Sequence, residues 1–448
     1  MKKLVFIIIS LFLMMQLSYG QVAKSFSLKQ AQEYAVQNNA TVKNAQLDIV
    51  KSEKKVWETT AMGLPQVNSS LSYQNMLDIP VTLIPAQIFD PNAPPDTYME
   101  MKFGTQHNAS FDLTATQLVF SGPYIVGLQA SKIYKKLSQQ ALDKAKVDIK
   151  ETVTQTYFLA LVAKENKSIL EASYENLKKI FEETSKMLKV GFVEETDVDQ
   201  LEYTLKNIEI SLNAITNQID LSLNLLKYQM GIDLKEEIIL TDKLENIVET
   251  VGANALQANA FNVNEHIDFQ LMQTQEYLQK LNWKREKTEF LPSISAFYSY
   301  NQKAMRNDFD FFESGKDWFP SNIVGATLNI PIFSSGLKLS RVQQAKLELE
   351  KARNSKEMVS QGLILGVQQA NSDFSTASEK YNNEKSNMKI TKRIYDRTLI
   401  KFNQGMSSSL ELTQVHNQYL NSQSNYFNAI FELLNAKNKL DKALNKYK

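Results

Sequence analysis

Cysteine is missing altogether from the 448 residues. The chain therefore has no disulfide, no thiolate metal site and no cysteine to carry a lipid. Glycine and proline are sparse, at 14 and 10, which leaves room for long unbroken helices. Net charge is nearly absent as well, with 50 Lys and Arg against 49 Asp and Glu. A chain so balanced lacks the basic footprint of a nucleic-acid binder, which argues against nucleic acid as a partner. Only three histidines occur, His107, His266 and His416, in unrelated stretches. There is no phosphate loop, no nucleophile elbow and no metal-ligand spacing, so the expectation is no enzyme, no cofactor and no metal. Past the N-terminus no apolar run approaches the roughly 20 residues of a spanning helix. Any later membrane portion must then be a β-barrel.

What is present begins with a targeting pattern. Lys2 and Lys3 precede an apolar run from Leu4 to Leu17, and Ser18-Tyr19-Gly20 offers small residues where a signal peptidase reads. Residues 1–20 are expected to be a signal peptide cleaved before Gln21; the alternative is an N-terminal anchor, for which the run is short.

The rest repeats itself. Lys189-Val-Gly-Phe-Val-Glu-Glu-Thr-Asp-Val-Asp-Gln200 and Phe402-Asn-Gln-Gly-Met-Ser-Ser-Ser-Leu-Glu-Leu-Thr-Gln414 are the glycine breaks of two long helix-forming runs. Aligning them sets Gly191 on Gly405, Asp197 on Glu411, Val198 on Leu412 and Gln200 on Gln414. Each reads as the hinge of a helical hairpin whose first arm, about 65 residues, would span on the order of 100 Å. Before each hairpin come two period-two segments: 66–74 and 108–119, then 293–300 and 323–332. In the first of these Val67, Leu71 and Tyr73 alternate with Gln66, Asn68, Ser70, Ser72 and Gln74, one apolar and one polar face. Phe297 breaks the polar side of the third. A proline-rich loop separates the first two. Pro65, Gly122, Pro292, Pro331 and Gly336 punctuate the strand–helix junctions.

The domain reading is a first repeat over 21–230, a linking or equatorial segment over 231–254 whose Ile238–Leu240 could form a short strand, and a second repeat over 255–448 with its helix starting near Ala255. Four strands of nine to eleven residues match the height of a membrane barrel but cannot close one, since about eight are needed. Several chains must contribute. The competing reading is a soluble, secreted coiled-coil scaffold without a pore; an envelope hydrolase is a third, with no residues to support it.

With the duplicated plan, the paired turns and the junction Leu328-Asn-Ile-Pro-Ile-Phe-Ser-Ser-Gly336 in view, the sequence resembles the TolC-like outer membrane efflux proteins. The resemblance implies an α+β membrane protein in the cell outer membrane. It implies a homotrimer whose twelve-strand barrel, four strands per chain, continues as a long α-helical coiled-coil barrel in the periplasm. It also implies a periplasmic membrane-fusion adaptor and an inner-membrane transporter as partners, and a passive export function whose cargo is unspecified. By position the family's acidic gate ring falls on Glu411 and Gln414, the glutamine weakening the ring, with Asp197, Glu194 and Glu195 at the matching place in the first repeat. The same residues also read as helix caps: Ser408 to Glu411 has capping-box spacing and Thr196 to Asp199 resembles it.

Overall fold

The computed structural model describes residues 24–253 and 261–447. The expected signal peptide lies outside them. Along the chain come β1 (Lys24–Phe26), α1 (Leu28–Asn38), α2 (Ala40–Ala61), β2 (Gln66–Asn75), β3 (Val81–Pro85), β4 (Tyr98–Lys102), β5 (His107–Phe120), α3 (Gly122–Lys189), α4 (Glu195–Met230), β6 (Ile238–Leu240), α5 (Leu244–Ala253), α6 (Ile267–Thr288), β7 (Ser293–Arg306), β8 (Phe319–Asn329), α7 (Leu337–Asn403) and α8 (Ser409–Ala443). No described helix is long and apolar enough to cross a membrane. The described residues form two compact units. One joins the residues up to Ile49 with Leu137–Gln273 and everything from Asn354; the other is Val50–Lys136 with Thr274–Arg353.

The second unit is built on an antiparallel sheet in the order β2-β5-β7-β8. Its register sets Val67 beside Ala115, Ala115 beside Tyr298, and Tyr298 beside Val324. Period two thus carries one apolar face across all four strands. On the opposite face Phe297 pairs with Gly325, and a Cβ at Gly325 would stand 2.7 Å from the Phe297 ring. The aromatic that broke the polar pattern therefore lies across a glycine on the neighbouring strand.

Three strand limits differ from the sequence reading by more than one residue. β7 runs on to Arg306: Gln302 sits on the apolar face and donates to the Tyr300 hydroxyl, which hid the alternation. β8 stops at Asn329 rather than 332, because Pro331 has no N–H for the ladder. It also begins earlier, at Phe319, tolerating Pro320 because it is an edge strand. The proline-rich loop contains a hairpin of its own, β3 paired with β4.

At the junctions, Pro65 and Pro292 immediately precede β2 and β7, while Gly336 immediately precedes α7. Gly122 opens α3. A Cβ there would stand 2.8 Å from Thr288 and 3.0 Å from Leu291, so the start of α3 packs closely on the end of α6.

In the first unit β1 and β6 pair in parallel. Phe26, Tyr157, Leu226, Met230, Ile238, Leu240, Phe427 and Leu434 make its main core. Asp242 anchors it, accepting from the Leu28 N–H at 2.7 Å and lying 2.9 Å from the Tyr157 hydroxyl. Part of the 231–254 segment is folded into this core. Of the helix expected from Ala255, the part up to residue 260 lies outside the described residues; over 261–266 it is corrected, since α6 starts only at Ile267. Asn262 accepts from the Asn264 N–H at 3.1 Å and His266 Nδ1 from the Asp268 N–H at 3.3 Å, local bonds that compete with an earlier helix.

Candidate functional site at the paired turns

The two turns share one backbone design. Gly191 and Gly405 adopt φ of +77° and +71°. The residue after each glycine donates back five positions: Phe192 N–H to Met187 O at 3.0 Å, Met406 N–H to Lys401 O at 2.8 Å. The glycine N–H groups donate to Leu188 O at 3.0 Å and Phe402 O at 2.9 Å. This is the left-handed helix stop that glycine favours. Among the described residues no non-neighbouring atom stands within 4 Å of where either Cβ would be, so conformation and not space selects glycine.

The two helices restart differently. α4 begins at Glu195 with Glu194 as N-cap, and Asp197 closes the capping box, in place of the Thr196–Asp199 pair expected from sequence. The Glu194 N–H donates to Asp197 Oδ2 at 3.2 Å. In the second turn Ser408 is the N-cap, and its Oγ accepts from the Glu411 N–H at 3.2 Å. The Glu411 carboxylate does not return to the N-cap backbone; it accepts from Ser407 Oγ at 2.7 Å. Carboxylates in both first turns also face the positive helix ends.

The turns are tied together by a residue that sequence reasoning passes over. Ser409 is 2% exposed, and its hydroxyl donates to Asp197 Oδ1, with Gln200 Oε1 at 3.4 Å. Asp197 thus caps α4 with one oxygen and holds α8 with the other. Glu411 and Gln414 stand together on an exposed face of α8, apart from this contact, and Glu194 and Glu195 are exposed at the first turn. Exposed apolar side chains crown both turns: Val190, Phe192 (81% exposed), Met406 and Leu410.

Behind the turns, Leu177, Ile180, Leu201, Ile208, Tyr395, Leu412 and Tyr419 pack four helices into one layer. His416 lies within it, fully buried. One ring nitrogen, Nε2, hydrogen-bonds Ser173 Oγ at 2.9 Å, and the ring stacks on Tyr395 at 4.7 Å. Burial pushes its pKa down to about 4. Among the described residues its Nδ1 and the hydroxyls of Tyr395 and Thr413 have no hydrogen-bond partner. No group of side chains that could hold a metal occurs among the described residues.

The profile of the family described as outer membrane efflux protein matches residues 32–231 and 270–446. No curated protein sequence matches the chain. Solved channels share the fold. The CmeC outer membrane channel of Campylobacter jejuni superposes with a TM-score of 0.72 at 20% identity, over 93% of this chain and 85% of that one. The outer membrane protein VceC of Vibrio cholerae gives 0.68 at 14% identity, over 93% and 95%. The open state of the MtrE outer membrane channel of Neisseria gonorrhoeae gives 0.70 at 16%, over 93% and 88%.

Proposed function

Since this chain belongs to the outer membrane efflux protein family and is an export channel of the outer membrane, we propose that it works as a passive trimeric duct with its periplasmic mouth at the paired turns. The observation that carries this reading is the sheet. It has one apolar face and two unpaired edges, β2 and β8, and four strands leave a barrel open. Strand directions alternate, so β8 of one copy meets β2 of the next antiparallel, and three copies supply twelve strands.

The helices support the same assembly. Tyr203, Ile210, Leu221 and Tyr228 are exposed along α4, as are Ile390, Ile394 and Ile400 along α7. Apolar stripes at such spacing pack against neighbouring helices, and α4 of one copy on α7 of another would cover both. At the mouth, the bond from Ser409 to Asp197 holds the hairpins of one chain together and keeps the duct closed. Releasing it lets the second hairpin move away from the first. Three copies of Glu411 facing the axis would repel one another, opposing that closure and attracting cations. The apolar crown of Val190, Phe192, Met406 and Leu410 is the seat for a periplasmic adaptor, which links the duct to an inner-membrane transporter that supplies the energy.

Purified protein in planar bilayers tests this. Discrete, mostly closed channels are expected. Protein that stays soluble without detergent and never conducts would instead support the coiled-coil scaffold.

A further inference from the structure

Among the described residues, the polar face of the four-stranded sheet carries just two charged side chains, Asp112 on β5 and Lys303 on β7. Their settings differ. Asp112 pairs with Ser70 on one side and Asn301 on the other. Its carboxylate accepts from Asn301 Nδ2, and from Ser110 Oγ at 3.0 Å. Ser110 in turn shares a hydrogen bond of 2.8 Å with Ser72. A row of polar side chains over three strands thus pins the anion against the sheet. Lys303 stands opposite Ser110, at the next pair on that face toward the β7–β8 loop. It is exposed and has no ion-pair partner among the described residues. A carboxylate held flat by two donors is locally compensated. A free four-carbon side chain carries its ammonium away from the wall.

We propose that Lys303 is the residue that sets charge selectivity inside the barrel, favouring anionic cargo, with Asp112 as a fixed counter-charge on the wall. This rests on the duct reading above, which turns the polar face toward water and the apolar face toward lipid. Threefold symmetry makes each residue a ring, an anionic one followed outward by a cationic one. The outer ring reaches further toward the axis and carries the larger part of the field that a passing solute meets. Its influence decays within a Debye length of about 8 Å at 0.15 M salt, so the effect is greatest at low ionic strength.

Two measurements test the proposal, both on the full-length chain in membranes. The first is zero-current potential across planar bilayers in a KCl gradient at low salt, read as the anion-to-cation permeability ratio. Lys303→Gln should lower that ratio by about twofold or more, and Asp112→Asn should raise it by less, as expected for partly screened charges. Channels with the wild-type ratio in both variants would overturn the assignment, as would shifts of the opposite sign. If the wild type gives no channels at all, the duct reading itself fails, which is a separate result. The second uses the absence of native cysteine. In membrane vesicles a charged, water-soluble thiol reagent should label Lys303→Cys and leave Leu113→Cys, on the apolar face, protected. Labelling of Leu113→Cys with protection of Lys303→Cys would invert the two faces and end the proposal.

Discussion

Ser409 and Asp197 show how one side chain can serve two elements. The Asp197 carboxylate divides its oxygens between the α4 cap and the buried Ser409 hydroxyl. Ser409→Ala leaves Asp197 its cap bond but removes the tie between hairpins. A buried hydrogen bond to a charged group contributes roughly 1.5–3 kcal/mol, so thermal unfolding of the variant should begin earlier by a corresponding margin. Glu411→Ala should cost much less, because that carboxylate is exposed and, among the described residues, bonded only to Ser407. If Glu411 acts at the mouth, its change will appear in cation sensitivity and not in melting temperature. His416 makes a different prediction. Its folded pKa is pushed down to about 4 by burial, against about 6.5 when unfolded. The unfolded chain therefore binds the proton first. Stability should be level above pH 6.5 and fall as the pH drops toward 4, by at most roughly 3 kcal/mol per chain. Melting curves between pH 7 and 4.5 check this, and His416→Phe should flatten the slope. Ser409 and His416 are illegible in the sequence for physical reasons. A serine one residue past an N-cap reads as solvent-exposed, and burial of a histidine on α8 depends on α3 and α7, which pack from distant parts of the chain.

At the scale of elements, glycines with the same sign of φ have different reasons to be there. Gly405 and Gly231 have φ of +71° and +73°. A Cβ at Gly405 meets nothing within 4 Å, whereas one at Gly231 would stand 2.6 Å from the Asn38 carbonyl oxygen. Gly405→Ala should therefore cost only the left-handed penalty of about 1–2 kcal/mol. Gly231→Ala adds a backbone clash between the end of α4 and the end of α1, and should be markedly worse in the same chemical-denaturation assay. Strands are readable wherever alternation is clean. They are obscured where a single residue interrupts it, as Gln302 does by satisfying itself on Tyr300, or where proline forbids the ladder, as at Pro331. Phe297 looks like an exception to the polar face and proves to be the partner of Gly325, a cross-strand relation that no single strand reveals. The turns are the most legible elements, since a glycine followed by acidic or hydroxyl residues spells out helix stop and restart locally.

On the scale of the whole molecule, duplication can be read from the sequence because each repeat restates the same order of elements. The need for other copies can also be read, because four strands do not close a barrel. What cannot be read is which face of each helix remains uncovered. The exposed stripes of α4 and α7 become visible only once the core of one chain is assembled. Their burial between copies predicts a trimer in mild detergent, and native mass measurement should give three chains per particle. Ile210→Lys should split that particle while leaving the chain's helix content intact. If the Asp197–Ser409 tie holds the export duct shut, breaking it must open the channel. The most direct test is single-channel current in planar bilayers for the wild type and for the double variant Asp197→Ala, Ser409→Ala. Small, rare openings are expected for the wild type and a severalfold larger, sustained conductance for the variant. Equal conductance from two correctly assembled trimers would contradict a closed mouth held by this bond.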